Sequence, residues 1–326
     1  MNGGGKRVLV TGGAGFVGSH LCEALLAAGH QVVCVDNLCT GSHDNIDHLV
    51  GQVGFSFLRY DVTEPLPTLG PVDWVFALAS AASPAHYHRL PIETLRAGAR
   101  GTEHALQVAR DHSARFVLAS TSEVYGDPEV SPQSERYWGN VNPVGPRSVY
   151  DEAKRFAEAL TAAYRRSLGV DTAIARIFNT YGPRMQADDG RMVPTFIRQA
   201  LTGRPITISG TGRQTRSLCY VTDTVTGLIA LARSGEAGPI NLGNPMEETV
   251  TQLANRIRGM IGSSSPLHHV AEVTDDPQQR CPDITVARRQ LGWQPLVPLH
   301  EGLRRTIADV SASLPRSESP IGVLAP

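Results

Sequence analysis

Val8-Leu9-Val10-Thr11-Gly12-Gly13-Ala14-Gly15-Phe16-Val17-Gly18 reads as an apolar run, a glycine turn and the start of a helix. Glycines at 12, 15 and 18 allow a tight turn and a close approach of backbone to a pyrophosphate. The helix start adds free N–H groups and the positive end of a dipole. The spacing is G-x-x-G-x-x-G, and its weight comes from the strand and helix patterns that flank it. Dinucleotide binding is the expectation, with Phe16 and Val17 inside the motif. Asp36 ends the next apolar run, 18 residues after Gly18. A carboxylate there accepts both ribose hydroxyls and repels a 2′-phosphate, which selects NAD over NADP; Asn37 stands beside it. Asp61 and Val62, after a third run, are placed against the adenine, although a surface turn explains them nearly as well. Leu78-Ala79-Ser80, after a fourth, supplies small residues under the cofactor.

The same rhythm continues along the chain. Strands are predicted over 6–10, 31–36, 55–59, 74–78, 116–120 and 172–177, with helices over 19–28, 92–110 and 148–168. Alternation of this kind predicts an α/β fold, a Rossmann-type doubly wound parallel sheet with helices on both faces. After residue 180 Gly, Pro and Arg interrupt the pattern, and a smaller mixed α/β C-terminal substrate lobe is expected. The boundaries read as 1–182 for the dinucleotide domain, with about 213–243 returning to it. The second lobe then takes 183–212 and 244–310, and 311–326 is a flexible tail. Two Pro-rich segments, 83–91 and 127–147, read as long loops, which in a compact domain are often functional.

Composition excludes several classes. Among 326 residues, 30 Lys and Arg balance 31 Asp and Glu, so no electrostatic footprint for nucleic acid or an anionic membrane exists. Cysteines 22, 34, 39, 219 and 281 are odd in number and have no metal spacing, so reduced thiols are expected. The histidines, His86 and His88 among them, have no metal spacing and read as loop or surface residues. Without an apolar leader or a run of membrane-spanning length, a soluble, cytoplasmic protein is expected.

Chemistry enters with Ser148-Val149-Tyr150-Asp151-Glu152-Ala153-Lys154. Tyr150 and Lys154 are four apart and share a helix face. An ammonium beside a phenol favours the phenolate, so a lowered Tyr150 pKa and a general base for a hydroxyl proton are expected. The spacing alone is weak; the dinucleotide motif ahead of it gives it meaning.

Together these features resemble the extended short-chain dehydrogenase/reductase family over roughly residues 6–308. Within it, the UDP-glucuronic acid decarboxylases (UDP-xylose synthases) fit best. The resemblance rests on the segment Leu118-Ala119-Ser120-Thr121-Ser122-Glu123-Val124-Tyr125-Gly126-Asp127-Pro128 and on Gly145-Pro146-Arg147. It continues in Ala175-Arg176-Ile177-Phe178-Asn179-Thr180, Asp189-Gly190-Arg191, Gln214-Thr215-Arg216 and Asp275-Asp276-Pro277-Gln278-Gln279-Arg280-Cys281-Pro282-Asp283. The related 4,6-dehydratases place Asp-Glu after the Thr, where this chain has Ser122-Glu123, and simple 4-epimerases usually lack the Glu.

The resemblance implies oxidation at C4 of a nucleotide sugar by NAD, loss of CO2 from the 4-keto acid and re-reduction. It implies Tyr150 as base, Lys154 as its partner and ribose contact, and Thr121 as hydrogen-bond partner of O4. It also implies Glu123 as acid/base near C5, and Arg280 on the carboxylate or diphosphate. Asn179, Arg191, Val193 and Arg216 are implied as substrate contacts. A homodimer is implied through the helices over 92–110 and 148–168, which carry Leu106, Val108, Phe156 and Leu160. Plainer roles remain open: a turn cap for Thr121, ion pairs for Glu123 and Arg280, solvated guanidiniums for Arg191 and Arg216. Epimerisation or dehydration of a related nucleotide sugar is the alternative reaction, and a non-catalytic dinucleotide sensor the alternative class.

Two departures stand out. Gly98 occupies the position where the family usually carries an Asn, and lacks the amide; in a helix interior it costs about 1 kcal/mol relative to Ala. Ala81-Ala82-Ser83-Pro84 replaces the usual Pro-Ala-Ser-Pro.

Overall fold

Short β-branched and apolar runs separated by amphipathic stretches dictate strand–helix alternation. The structure, a computed structural model, describes residues 5–186, 188, 190–272 and 276–314. The first half runs β1 (Arg7–Thr11), α1 (Phe16–Ala27), β2 (Gln31–Asp36), β3 (Phe55–Arg59), β4 (Trp74–Ala77), α2 (Pro84–Arg89) and α3 (Pro91–Arg96). It continues through α4 (Thr102–Asp111), β5 (Arg115–Thr121), α5 (Ser148–Leu168) and β6 (Thr172–Ile177). Then follow β7 (Thr180–Tyr181), α6 (Met192–Leu201), β8 (Ile206–Ser209), β9 (Thr215–Ser217), β10 (Cys219–Tyr220) and α7 (Val221–Arg233). The chain ends with β11 (Ile240–Leu242), β12 (Glu247–Thr249), α8 (Val250–Ile261), β13 (Leu267–Val270), α9 (Thr285–Leu291) and α10 (Leu299–Ser313).

Seven strands form one parallel sheet in the order β11-β6-β5-β4-β1-β2-β3. Its faces alternate with the strand period. Val8 and Val10 pack with Leu21, Leu25 and Leu228, while Leu9 packs on the opposite face with Phe116, Leu106 and Ala157. Burial on both faces explains why β1, β4 and β5 read as nearly continuous apolar runs. Strand order reverses between β1 and β4, and such switch points open a crevice at the C-terminal strand ends. Smaller strand pairs, β8 with β13 and β9 with β12, lie with α6 and α8 beyond that crevice.

The structure differs from the sequence reading in places. The segment 83–91 holds α2, begun by Pro84, which suits a first helical position. The predicted helix over 92–110 is interrupted at Ala97–Gly101 by a π-helical turn. The start of the expected flexible tail is helical, since α10 runs to Ser313; residues 315–326, like Asp189 and Asp275, lie outside the described residues. The loop 127–147 carries no named helix or strand. It is pinned all the same: the Gln133 N–H donates to the Cys281 carbonyl at 2.8 Å and the Asp283 N–H to the Gln133 carbonyl at 2.9 Å.

Candidate active site

A cleft of about 1050 Å³ opens at the switch point, and every sequence-predicted site residue lines it. Gly12, Gly15, Phe16, Val17, Gly18, Asp36, Asn37, Asp61, Val62, Leu78, Ala79 and Ser80 lie at the β1–β2–β4 end. Thr121 ends β5, Glu123 lies just after it, Tyr150 and Lys154 lie in the first turns of α5, and Asn179, Arg191, Val193, Arg216 and Arg280 close the far side.

The cofactor end fits a dinucleotide on three counts. A Cβ at Gly18 would lie 2.1 Å from the Gly12 carbonyl oxygen, and one at Gly12 2.7 Å from the Ala79 nitrogen, so the turn tolerates only glycine. The N-cap of α1, Gly15, has no side-chain hydrogen bond, which leaves the first N–H groups for a phosphate. Ser80 Oγ is buried in the cleft wall without a partner. At the edge, Asp36 accepts the Ala14 N–H at 3.1 Å and the Leu38 N–H at 2.8 Å. Burial pushes its pKa up against those two bonds. Each oxygen keeps a lone pair for a ribose diol. The Asn37 amide donates to Asp61 at 3.2 Å, which joins two of the candidate residues.

Tyr150 and Lys154 face the cleft from the first turns of α5 and are almost fully buried. Lys154 Nζ donates to the Ala119 carbonyl at 2.9 Å and sits 5.9 Å from the Tyr150 ring. Burial lowers its pKa to about 8. The expected lowering of the Tyr150 pKa is not present in the protein alone. Burial drives the phenol upward, the Glu123 charge adds to this, and only a hydrogen bond with Thr121 opposes it. Tyr150 stacks on Tyr87 at 5.6 Å and 7°, a partner contributed by α2 within the stretch read as a loop. His86, on the same helix, lines the cleft.

Glu123 lies in the turn after β5. The Thr121 hydroxyl oxygen accepts the Glu123 N–H at 3.2 Å, so Thr121 is a cap as well as a cleft residue. The Glu123 carboxylate takes two bonds from Arg280, from Nη1 and, at 2.8 Å, from Nη2. It takes a third from Arg147 Nη2 at 2.8 Å. Burial would raise its pKa; the two guanidiniums prevail and hold it at about 2. Arg147 also faces Asp276 at 3.5 Å, and Arg216 Nη2 donates to Asp276 at 2.7 Å. The wall thus strings three guanidiniums on two carboxylates and keeps a surplus positive charge for an anion. Burial and Arg280 both disfavour the ionised form of Arg216, against the pull of Asp276. Arg191 rests its guanidinium 5.4 Å from the Phe16 ring centroid, between the cofactor turn and α6.

Sequence reasoning assigned no role to Arg147, Asp276, Tyr87 or Asp151, all of which lie around this wall. Arg147 and Asp276 stood inside recognised motifs, but their partners Glu123 and Arg216 are 24 and 60 positions away in the chain. Among the described residues no His/Cys/Asp/Glu group suits a metal, and all five cysteines are free. No helix among them is long and apolar enough to cross a membrane.

A switch-point dinucleotide cleft, a Tyr-x-x-x-Lys pair and a cationic far wall define a short-chain oxidoreductase acting on an anionic, nucleotide-linked substrate. The chain belongs to the NAD dependent epimerase/dehydratase family, whose profile matches residues 8–243. It is 52% identical over 302 residues to UDP-glucuronic acid decarboxylase 1 of Xenopus tropicalis, covering 93% of this chain and 71% of that one. It is 50% identical over 298 residues to UDP-glucuronic acid decarboxylase 5 of Arabidopsis thaliana, covering 91% and 87%. Its fold resembles DesIV, a dTDP-glucose 4,6-dehydratase of Streptomyces venezuelae solved with NAD and TYD bound. The TM-score is 0.86 at 27% identity, over 94% of this chain and 97% of that one.

Proposed function

We propose that the protein is an NAD-dependent UDP-glucuronate decarboxylase that forms UDP-xylose. The observation that carries this reading is the Glu123–Arg280–Arg147 cluster beside Thr121 and Tyr150, with Ser122 where a dehydratase needs an acid. The identity to named decarboxylases supports it.

Gly12, Gly15 and Gly18 with the α1 N-terminus would hold the NAD pyrophosphate, Asp36 and Asn37 the adenine ribose, and Tyr150 and Lys154 the nicotinamide side. NAD, when bound, supplies the hydride acceptor for C4 and afterwards the donor. Tyr150 takes the 4-hydroxyl proton and returns it to O4 when the ketone is reduced. Its raised pKa suits the second of these tasks, and the hydrogen bond with Thr121 eases the first. Thr121 holds O4. Arg280, with the surplus charge of the wall, receives the sugar carboxylate. With a ketone at C4, that carboxylate belongs to a β-keto acid, and the electrons of the C5–C6 bond pass into the carbonyl as CO2 leaves. Arg216, Arg191 and Asn179 face the diphosphate and sugar, where guanidinium forks match phosphate oxygens.

A homodimer is proposed through the outer faces of α3 and α5. Ile92, Leu95 and Phe156 are exposed there, whereas Leu106 is wholly in the core and Val108 and Leu160 pack against it. Cytoplasmic residence is the reading that the free cysteines favour. Purified protein given NAD and UDP-glucuronate tests the reaction by product mass. Loss of the mass of CO2 with an intact pentose is expected; an unchanged mass with inverted C4, or loss of water, refutes it.

A further inference from the structure

Behind the ionic wall lies a second cavity of about 590 Å³, which shares Glu123, Arg147 and Asp276 with the main cleft. Its rim includes the exposed residues Asp127, Asn142 and Gln278, so it reaches solvent away from the cofactor. Asp151 lines this cavity and not the main cleft. The residue is 5% exposed, and its buried Oδ1 has no hydrogen-bond partner. A carboxylate in the first turn of α5 is favoured by the helix dipole, which accounts for an acid there. It does not account for one that is buried with an unsatisfied oxygen.

The proposed reaction needs such a group. Decarboxylation turns a carboxylate into CO2 and a C–H bond and so consumes one proton. The proton that Tyr150 takes from the 4-hydroxyl returns to O4 and is not available to C5. Glu123 is held ionised by Arg147 and Arg280, and guanidiniums do not give up protons near neutral pH. We propose that Asp151 is the relay that draws the C5 proton from solvent through the second cavity and delivers it by way of water, past the ionised Glu123, to the decarboxylated sugar. This rests on the decarboxylase reading.

The step balances. The C5–C6 bond breaks, CO2 leaves, and the electron pair enters the C4 carbonyl to give an enolate. The pair returns to C5 and forms the new C5–H bond with the relayed proton. Nothing is oxidised or reduced, and Asp151, left as a carboxylate, is reprotonated from the second cavity. The groups around Asp151 sort the two carboxylates into holder and carrier. Burial raises the Asp151 pKa to about 7, the Glu123 charge adds to this, Arg147 and Arg280 oppose it, and Glu152 adds a smaller push. Tyr87 faces it from α2, and Tyr150 precedes it on α5. Two coupled acids whose surroundings push their pKa values apart are the usual mark of such a division of labour.

Single-turnover reactions of the holoenzyme with UDP-glucuronate, followed for CO2, reduced cofactor and C5 deuterium uptake across a pH series, test the relay. In the wild type the C5 protonation rate is expected to fall as pH rises through about 7. Asp151→Asn should still release CO2 in the first turnover but slow product formation by at least about tenfold, with reduced cofactor persisting. It should also lose that pH limb, and Asp151→Glu should restore it. Wild-type rates and pH profile in Asp151→Asn would overturn the relay. So would equal losses of CO2 release and product formation, which mark a purely structural role. If Asp151→Asn does not fold, a flat wild-type protonation rate across neutral pH overturns it alone. Failure of the wild type to release any CO2 would instead sink the decarboxylase reading.

Discussion

Gly98→Asn places the family's usual residue in this chain, and the structure gives the outcome a sign. Gly98 lies in the π-helical turn between α3 and α4, packed on α5. A Cβ there would stand 2.7 Å from the Ala153 Cβ and 2.8 Å from the Ala153 carbonyl oxygen. Ordinary contact begins near 3.4 Å, so one helix must retreat by about 0.7 Å. Overpacking of that kind costs about 1–3 kcal/mol. Relief of the glycine helix penalty returns only about 0.3 kcal/mol when the new residue is Asn. The net loss is about 0.7–2.7 kcal/mol, so at roughly 2 °C per kcal/mol for a chain of this size the melting temperature should fall by about 1–5 °C. Ala153 precedes Lys154, so the displaced segment carries the catalytic pair, and misplacement by about 1 Å can cost about a hundredfold in rate. A kcat loss of about tenfold or more is expected with UDP-glucuronate. Ala153→Gly removes the nearer of the two clashing atoms. In a double-mutant cycle the pair should therefore couple favourably by about 0.5–1 kcal/mol and regain part of the rate, since the carbonyl contact at 2.8 Å remains. A single variant as stable and active as the wild type, or strictly additive losses in the cycle, would refute the steric account. The missing amide would then be the relevant change at Gly98.

Glu123→Gln should lower kcat by about 10²–10⁴-fold without raising KM, and should destabilise by about 3 kcal/mol in urea titrations because two buried guanidiniums lose their counter-charge. The same substitution should change the acid limb of stability. The folded Glu123 pKa lies below the ordinary 4.5, so its contribution is complete above about 4.5 and is lost as pH falls towards about 2. Melting temperatures across that window should fall less steeply in Glu123→Gln than in the wild type. Asp36→Ala should weaken NAD binding by about 10–100-fold, the worth of a hydrogen bond to a charged group, and erase the preference over NADP; cofactor titration by fluorescence checks both.

The sheet was legible because its strands are short, buried on both faces and spaced by amphipathic helices. The boundaries of β2, β3, β6 and α5 match those read from the pattern. The glycine turn was legible because backbone approach, which only glycine permits, is written directly in residue type. The partners of Glu123 were not. Arg147 and Arg280 reach it from 24 and 157 positions away, on segments tied in place by isolated backbone bridges at Asn140 and Gln133. Nor was Asp151 legible as anything but the residue after Tyr150. Its character comes from burial and from a neighbour's charge, and neither is a local property. The π-helical turn escaped for a related reason: Gly98 shows the pattern of a flawed helix, while its cause, contact with Ala153, belongs to another helix.

Where charge moves explains why Glu123 sits on the guanidinium that receives the substrate. Before CO2 leaves, the negative charge is on the C6 carboxylate, against Arg280 in the proposed complex; afterwards it is on O4. Only interactions stronger in the transition state than in the ground state speed the step. The Thr121 hydroxyl and the Tyr150 phenol at O4 satisfy that condition. A bare guanidinium at C6 does the opposite and deepens the ground state. The Glu123 carboxylate already engages both terminal nitrogens of Arg280, so the sugar carboxylate meets a partly neutralised cation and is held without being trapped. Removing the Glu123 charge frees Arg280 to bind the carboxylate more tightly. Such a loss lowers kcat and KM together, the signature of a group that relieves the ground state rather than one that merely binds it.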